Sequence, residues 1–149
     1  MGIDVRDMDF NKVLNDLSRC CLTEKVCETC SKPDCIVGYA MNSITRCLKD
    51  SVTYVANGQD GIPFFDLKMY DEEVFIKAIA NILRLCKSCS ENHYDNCIIN
   101  VVRNCYEVGL FGEIQAYEGS NFRYLARIHN SKPDIAVKII DKFHHPTED

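Results

Sequence analysis

Apolar residues recur at helical spacing in five stretches of the chain and alternate with polar ones in two others. Between 9 and 21, Phe10, Val13, Leu14, Leu17 and Cys21 fall on one side of a helix, with Asp9 placed to cap it. The pattern returns over 35–49 through Val37, Ala40, Met41, Ile44 and Leu48. It returns again over 71–86 through Val74, Phe75, Ala78, Ile79, Ile82 and Leu85, behind the capping residue Asp71. A fourth helix is predicted over 96–108 through Ile98, Ile99, Val102 and Cys105. A last one over 131–143 carries Ile135, Ile139, Ile140 and Phe143, its start marked by Ser131 and by Pro133 in the first turn.

The two alternating stretches read as β-structure. SVTYVANGQDGIPFFDL surrounds a Gly-rich centre and predicts a hairpin or an extended loop, with Pro63 confining its strand to an edge. EIQAYEGSNFRYLARI sets Ile114 and Ala116 against Phe122, Tyr124, Ala126 and Ile128 around EGSN, a second hairpin. The expected class is therefore α+β, predominantly helical, in one domain. Helix, cysteine loop, helix and hairpin occur twice, about 62 residues apart, which points to two pseudo-repeats, 9–68 and 71–128, followed by the helix at 131–143.

Composition narrows the class further. At 149 residues, 26% charged and 46% hydrophobic, the chain has the balance of a globular protein large enough to fold without covalent staples. No apolar run approaches the roughly 20 residues that span a bilayer. The opening MGIDVRDMDFNK lacks the apolar core of a secretory leader and the arginines of a transit peptide, so cytoplasmic residence is expected. The net charge of -5 argues against a nucleic-acid binder, although Arg84, Lys87, Tyr94 and Arg103 are candidates for a local basic patch. Ten cysteines in a reducing compartment point to metal or catalysis rather than to disulfides.

Tetrahedral zinc needs four ligand atoms within roughly 4 Å of one another, and that requirement sorts the cysteines. Cys35 and Cys47 lie about 18 Å apart along one predicted helix, and Cys97 and Cys105 about 12 Å apart along another. Cys47 and Cys105 are thus read as small buried apolar residues. Cys86, Cys89, His93 and Cys97 form C-x2-C-x3-H-x3-C, a complete Cys3His set on one short loop. The spacing resembles the zinc knuckles of retroviral nucleocapsid proteins, C-x2-C-x4-H-x4-C, with each of the last two gaps one residue shorter; the likeness is confined to these twelve residues. Upstream, Cys27, Cys30 and Cys35 give C-x2-C-x4-C. Matching Leu17-Ser18-Arg19 to Ile82-Leu83-Arg84 places Cys21 opposite Cys86 and supplies the fourth ligand. Cys20 competes for that role, and Cys21 is preferred because it continues the apolar face of its helix. A single site shared by Cys27, Cys30, Cys86 and Cys89 is the structural alternative.

An all-cysteine set suits a [4Fe-4S] cluster as well as zinc, whereas Cys3His favours zinc. A dithiol reading, with Cys27 or Cys86 attacking, lacks the strand-then-helix setting that lowers a thiol pKa. Glu28, Glu91 and Asp95 stand near the ligands, but the chain carries no H-E-x-x-H, phosphate loop or G-x-S-x-G turn, and an enzyme is not the favoured reading. The expectation is a protein with two structural zinc sites acting as an interaction or regulatory module, with a protein partner or a second copy. An iron-sulfur carrier or sensor is the alternative, and a nucleic-acid-binding zinc protein the second. Phe64 and Phe65 are candidates for a partner-binding loop or a hydrophobic plug.

Overall fold

The computed structural model describes residues 10–21, 35–50, 52, 54–66, 70–88, 97–117 and 120–145, with backbone only at 10 and 85–88. Six helices account for the regular structure among them: α1 (Phe10–Cys20), α2 (Ile36–Asp50), α3 (Glu72–Ser88), α4 (Ile98–Phe111), α5 (Asn121–Ser131) and α6 (Pro133–His144). Five fall within a few residues of the stretches their apolar spacing predicts. Asp71 caps α3 as expected, its Oδ1 accepting from the backbone N–H of Glu73 at 2.9 Å and of Val74 at 3.3 Å. Pro133 opens α6, where its fixed φ suits the first turn and its missing N–H costs nothing. Helix α4 runs one turn beyond Val108 and ends at Gly112, whose φ of 80° lets its N–H close on Val108 O at 2.9 Å.

Both expected hairpins are corrected. Residues 121–131 form α5, capped by Ser120, whose hydroxyl accepts from Arg123 N at 3.2 Å. The buried positions are Tyr124 and Ile128, one turn apart, while Phe122, paired with them in the hairpin reading, is 82% exposed. Residues 54–66 are a series of turns, and the one β-type contact among the described residues is an isolated antiparallel bridge between Tyr54 and Cys97. The described residues are thus predominantly helical, and the α+β class does not hold.

Helices α1 to α4 form a ring in which each packs on two others: α1 on α2 and α3, and α4 on α2 and α3. Every neighbouring pair is antiparallel. Asp16 meets Asn81 while Cys20, further along α1, faces Asp71 at the head of α3. Tyr39 lies near Cys105 and Cys47 near Cys97, so α2 and α4 run in opposite senses. Phe75, early in α3, stacks edge-on against Tyr106, late in α4. The interior is filled by Leu17, Ile44, Ile76, Ile79, Leu83, Val101 and Val102, each fully buried, and each such side chain contributes about 1.5–3 kcal/mol of transfer free energy.

Because α2 and α3 both start at the same end, the chain between them must travel the length of the bundle. Tyr54 pairs with Cys97 at one end, and Asp66 Oδ2 accepts from Ile36 N, the head of α2, at 2.9 Å at the other. Between these anchors the segment lies on the seam of α2 and α4. Tyr39 donates its hydroxyl to Gly58 O at 2.7 Å, and Gln59 Nε2 donates to Asn104 Oδ1 at 2.8 Å. A Cβ on Gly58 would sit 2.7 Å from Val101 Cγ2, so the close approach requires glycine. Helices α5 and α6 pack on each other and on the outer side of α3.

Candidate functional site

The antiparallel ring fixes where the candidate ligands stand. Cys21 follows the last turn of α1 and Cys35 precedes α2, both at the end of the bundle where Tyr70 and Asp71 lead into α3. Cys86 lies in the last turn of α3 and Cys97 precedes α4, both at the opposite end, where Cys97 pairs with Tyr54 and stands near Cys47. Each pair therefore brackets a junction between two consecutive helices. Cys27, Cys30, Cys89 and His93 lie outside the described residues. Among the described residues no three or more His, Cys, Asp or Glu side chains converge as a metal would require.

The choice between Cys20 and Cys21 has a structural answer as to faces. Cys20 is 2% exposed and packs in the core, whereas Cys21 is exposed just past the helix end. The apolar face of α1 thus continues through Val13, Leu17 and Cys20, at intervals of four and three residues, and not through Cys21. Burial, and behind it the Asp16 and Asp71 carboxylates, raises the Cys20 thiol well above its ordinary value. Cys105, fully buried, is raised by desolvation in the same way. Cys47 is pushed up to about 11 by burial and then by Cys97, and its Sγ donates to Tyr54 O at 3.4 Å. These three are neutral interior groups at neutral pH, as the spacing argument expects of Cys47 and Cys105.

Cys35 is half-buried and belongs to a small polar chain. Its Sγ lies 3.5 Å from Tyr70 Oη, and Tyr70 donates to Asp66 Oδ2 at 2.5 Å. The Asp66 carboxylate thereby joins the crossover segment, the approach to α3 and the head of α2, where an anion is favoured by the helix dipole.

Sequence reasoning misses a second polar assembly altogether. Asn100, Arg103, Asn104 and Glu107 share one face of α4 at helical spacing, and all four are buried. Arg103 Nε pairs with Glu107 Oε2 at 3.2 Å. Glu107 also accepts from Asn104 Nδ2 at 2.8 Å, from Gln115 N at 3.0 Å and from the Tyr124 hydroxyl. The Arg103 guanidinium lies 4.4 Å from the Tyr117 ring centroid and 5.2 Å from that of Tyr124. Tyr117 and Tyr124, from the part whose periodicity reads as a hairpin, meet Arg103 and Glu107, while Gln59 of the crossover segment meets Asn104.

Arg84 is likewise structural. It donates from Nε to Phe143 O at 3.2 Å, from Nη1 to Asn81 Oδ1 at 2.5 Å, and from Nη2 to Lys142 O. A guanidinium on the last carbonyls of α6 complements the negative end of that helix. Of the four residues proposed for a basic patch, Arg103 is interior and Arg84 is committed to α6; the side chains of Lys87 and Tyr94 lie outside the described residues. Phe64 and Phe65 are 48% and 66% exposed, so they do not plug the core. No helix among the described residues is long and apolar enough to cross a membrane. In comparisons with known proteins the chain matches no family model, no curated protein and no solved structure.

Proposed function

We propose that this protein is a metal-binding helical module of a reducing, cytoplasmic setting, in which two structural zinc ions fix two helix junctions and leave the bundle surface to a protein partner or a second copy. The observation that carries the reading is the placement of the outer candidate ligands: Cys21 and Cys35 flank one junction, Cys86 and Cys97 the other. Their separation to opposite ends of the bundle favours two sites, Cys21, Cys27, Cys30 and Cys35 at one and Cys86, Cys89, His93 and Cys97 at the other, over one ion shared between the halves. A closed site at each junction would supply apparent folding free energy on the order of 10 kcal/mol. The interaction role draws on the adjacent exposed Phe64 and Phe65, on a segment anchored through Gly58 and Asp66. Two helical hairpins packed antiparallel are also what a duplicated unit would form about a pseudo-two-fold axis.

Elemental analysis of anaerobically purified protein tests the metal. About two zinc ions per chain are expected; a brown protein with broad visible absorbance and bound iron overturns zinc in favour of an iron-sulfur cluster. Cys21→Ser and Cys89→Ser should each remove about one ion, while Cys20→Ser should lower stability without lowering the metal content.

A further inference from the structure

The outer surface of α5 and α6 plays no part in the metal reading. One side of α5 turns Tyr124 and Ile128 into the core. On another side Phe122, Leu125, Ala126 and His129 follow one another at intervals of three, one and three residues and, with Ile140 and His144 of α6, line an apolar groove of about 430 Å³. The chain also carries an apolar projection. Phe64 and Phe65 are exposed, yet the backbone around them is fixed: Ile62 and Pro63 are buried, Asp66 N donates to Pro63 O at 3.0 Å, and the Asp66 carboxylate accepts from Ile36 N at 2.9 Å. Since Phe122 in the groove and both phenylalanines of the crossover segment are exposed in the same molecule, neither surface covers the other.

We propose that the groove receives Phe64 and Phe65 of a second copy of this chain, a head-to-tail contact in which two different surfaces meet. Size permits it: an apolar cavity of about 150 Å³ takes one benzene ring, so the groove has room for two phenyl rings. Charge selects the place. Residues 58–73, which surround the phenylalanines, hold five Asp and Glu against one Lys. Residues 113–145, which build the groove, hold five Lys and Arg against four Asp and Glu, with three of the four histidines, while the rest of the chain carries a net charge of -6. An acidic projection is therefore repelled by the remainder of a second copy and meets no net negative charge at the groove, however the cations there are paired. A backbone already held in its turn lowers the ordering cost of the contact. The inference rests on the interaction role proposed above and needs no metal.

Sedimentation equilibrium of the full chain tests it. The parent should self-associate with rising concentration. The pair Phe64→Ser with Phe65→Ser, and separately Ala126→Glu, should each weaken that association at least about tenfold, the worth of one buried aromatic ring. All three positions are exposed, so the helical content of both variants, read by circular dichroism, should match that of the parent. The decisive sample is their mixture. One variant keeps the groove and the other keeps the phenylalanines, so together they should form a one-to-one complex that neither forms alone. A parent that stays monomeric at its highest soluble concentration overturns the proposal, and if that monomer sediments with phosphatidylserine vesicles the groove faces a lipid surface instead. A double phenylalanine variant that associates as the parent does overturns it too, because groove would then meet groove, as does a mixture that yields no complex. Zinc measured on the same samples separates the two readings: a monomer that holds zinc loses this contact and keeps the metal sites, whereas a self-associating chain without metal does the reverse.

Discussion

Arg103 and Glu107 form an ion pair one turn apart on α4, Nε to Oε2 3.2 Å, with both side chains wholly out of contact with solvent. A pair so placed has surrendered two hydration shells, and its partners among Asn100, Asn104, Gln115, Tyr117 and Tyr124 must make up the difference. Removing one member leaves the other charged and stranded. Arg103→Met and Glu107→Gln should therefore each lower the free energy of unfolding in urea by about 3 kcal/mol or more. The double variant should cost less than the sum of the two, and strict additivity would show that the charges are not coupled.

Tyr106 presents the opposite case. Its ring is 1% exposed and packs edge-on against Phe75, yet its hydroxyl has no hydrogen-bond partner among the described residues. Burial raises its pKa well above the ordinary value and keeps it neutral. Tyr106→Phe removes an oxygen that gains nothing there, so the variant should match or exceed the parent in thermal midpoint. A loss of about 1 kcal/mol or more would mean that the hydroxyl is bonded.

Asp16 should give stability a distinctive dependence on pH. Desolvation raises its folded pKa, against the opposing effects of the Asn81 hydrogen bond and of Lys77, Lys12 and Arg19. The folded state then binds this proton more tightly than the unfolded chain does, so the contribution falls as pH rises from the ordinary carboxyl range through the raised value. Asp16→Asn keeps an acceptor for Asn81 and deletes the titration. Relative to the parent, the variant should be more favourable at pH 7 than at pH 4; urea midpoints measured across that range would show the reverse if the pKa were depressed.

Helix α5 supplies a test of local structure. Ser120→Ala removes the hydroxyl that accepts from Arg123 N and should cost about 1 kcal/mol. Phe122→Ser, at a position 82% exposed, should cost less than about 0.5 kcal/mol. A hairpin would invert that order, since Phe122 would then share the buried face with Tyr124 and Ser120 would lie in a tolerant turn.

Why this segment misleads is a matter of period. Tyr124 and Ile128 are four residues apart, a separation compatible both with alternation and with one helical turn, and only the two of them are buried in α5. Helices α1 to α4 and α6 are legible because three or more apolar residues repeat over several turns, where the periods of 2 and 3.6 diverge. The Asn100, Arg103, Asn104 and Glu107 face is illegible for a different reason: its polar groups are satisfied by residues far away in the chain, such as Gln59 and Tyr124, and a pattern along one helix carries no record of them. Cys20 and Cys21 show the limit at a helix end, where adjacent residues are separated by 100° and the last turn decides which one faces inward.

The segment from Tyr54 to Asp66 is also the covalent link between the α1–α2 hairpin and the α3–α4 hairpin. Cutting it would not expose the bundle directly, because Asn104, Cys97 and Ile36 would still grip its two pieces. It would change the order of the folding reaction. Two halves that now meet at a high effective concentration set by a short tether would have to find each other by diffusion, and their stability would come to depend on how much protein is present.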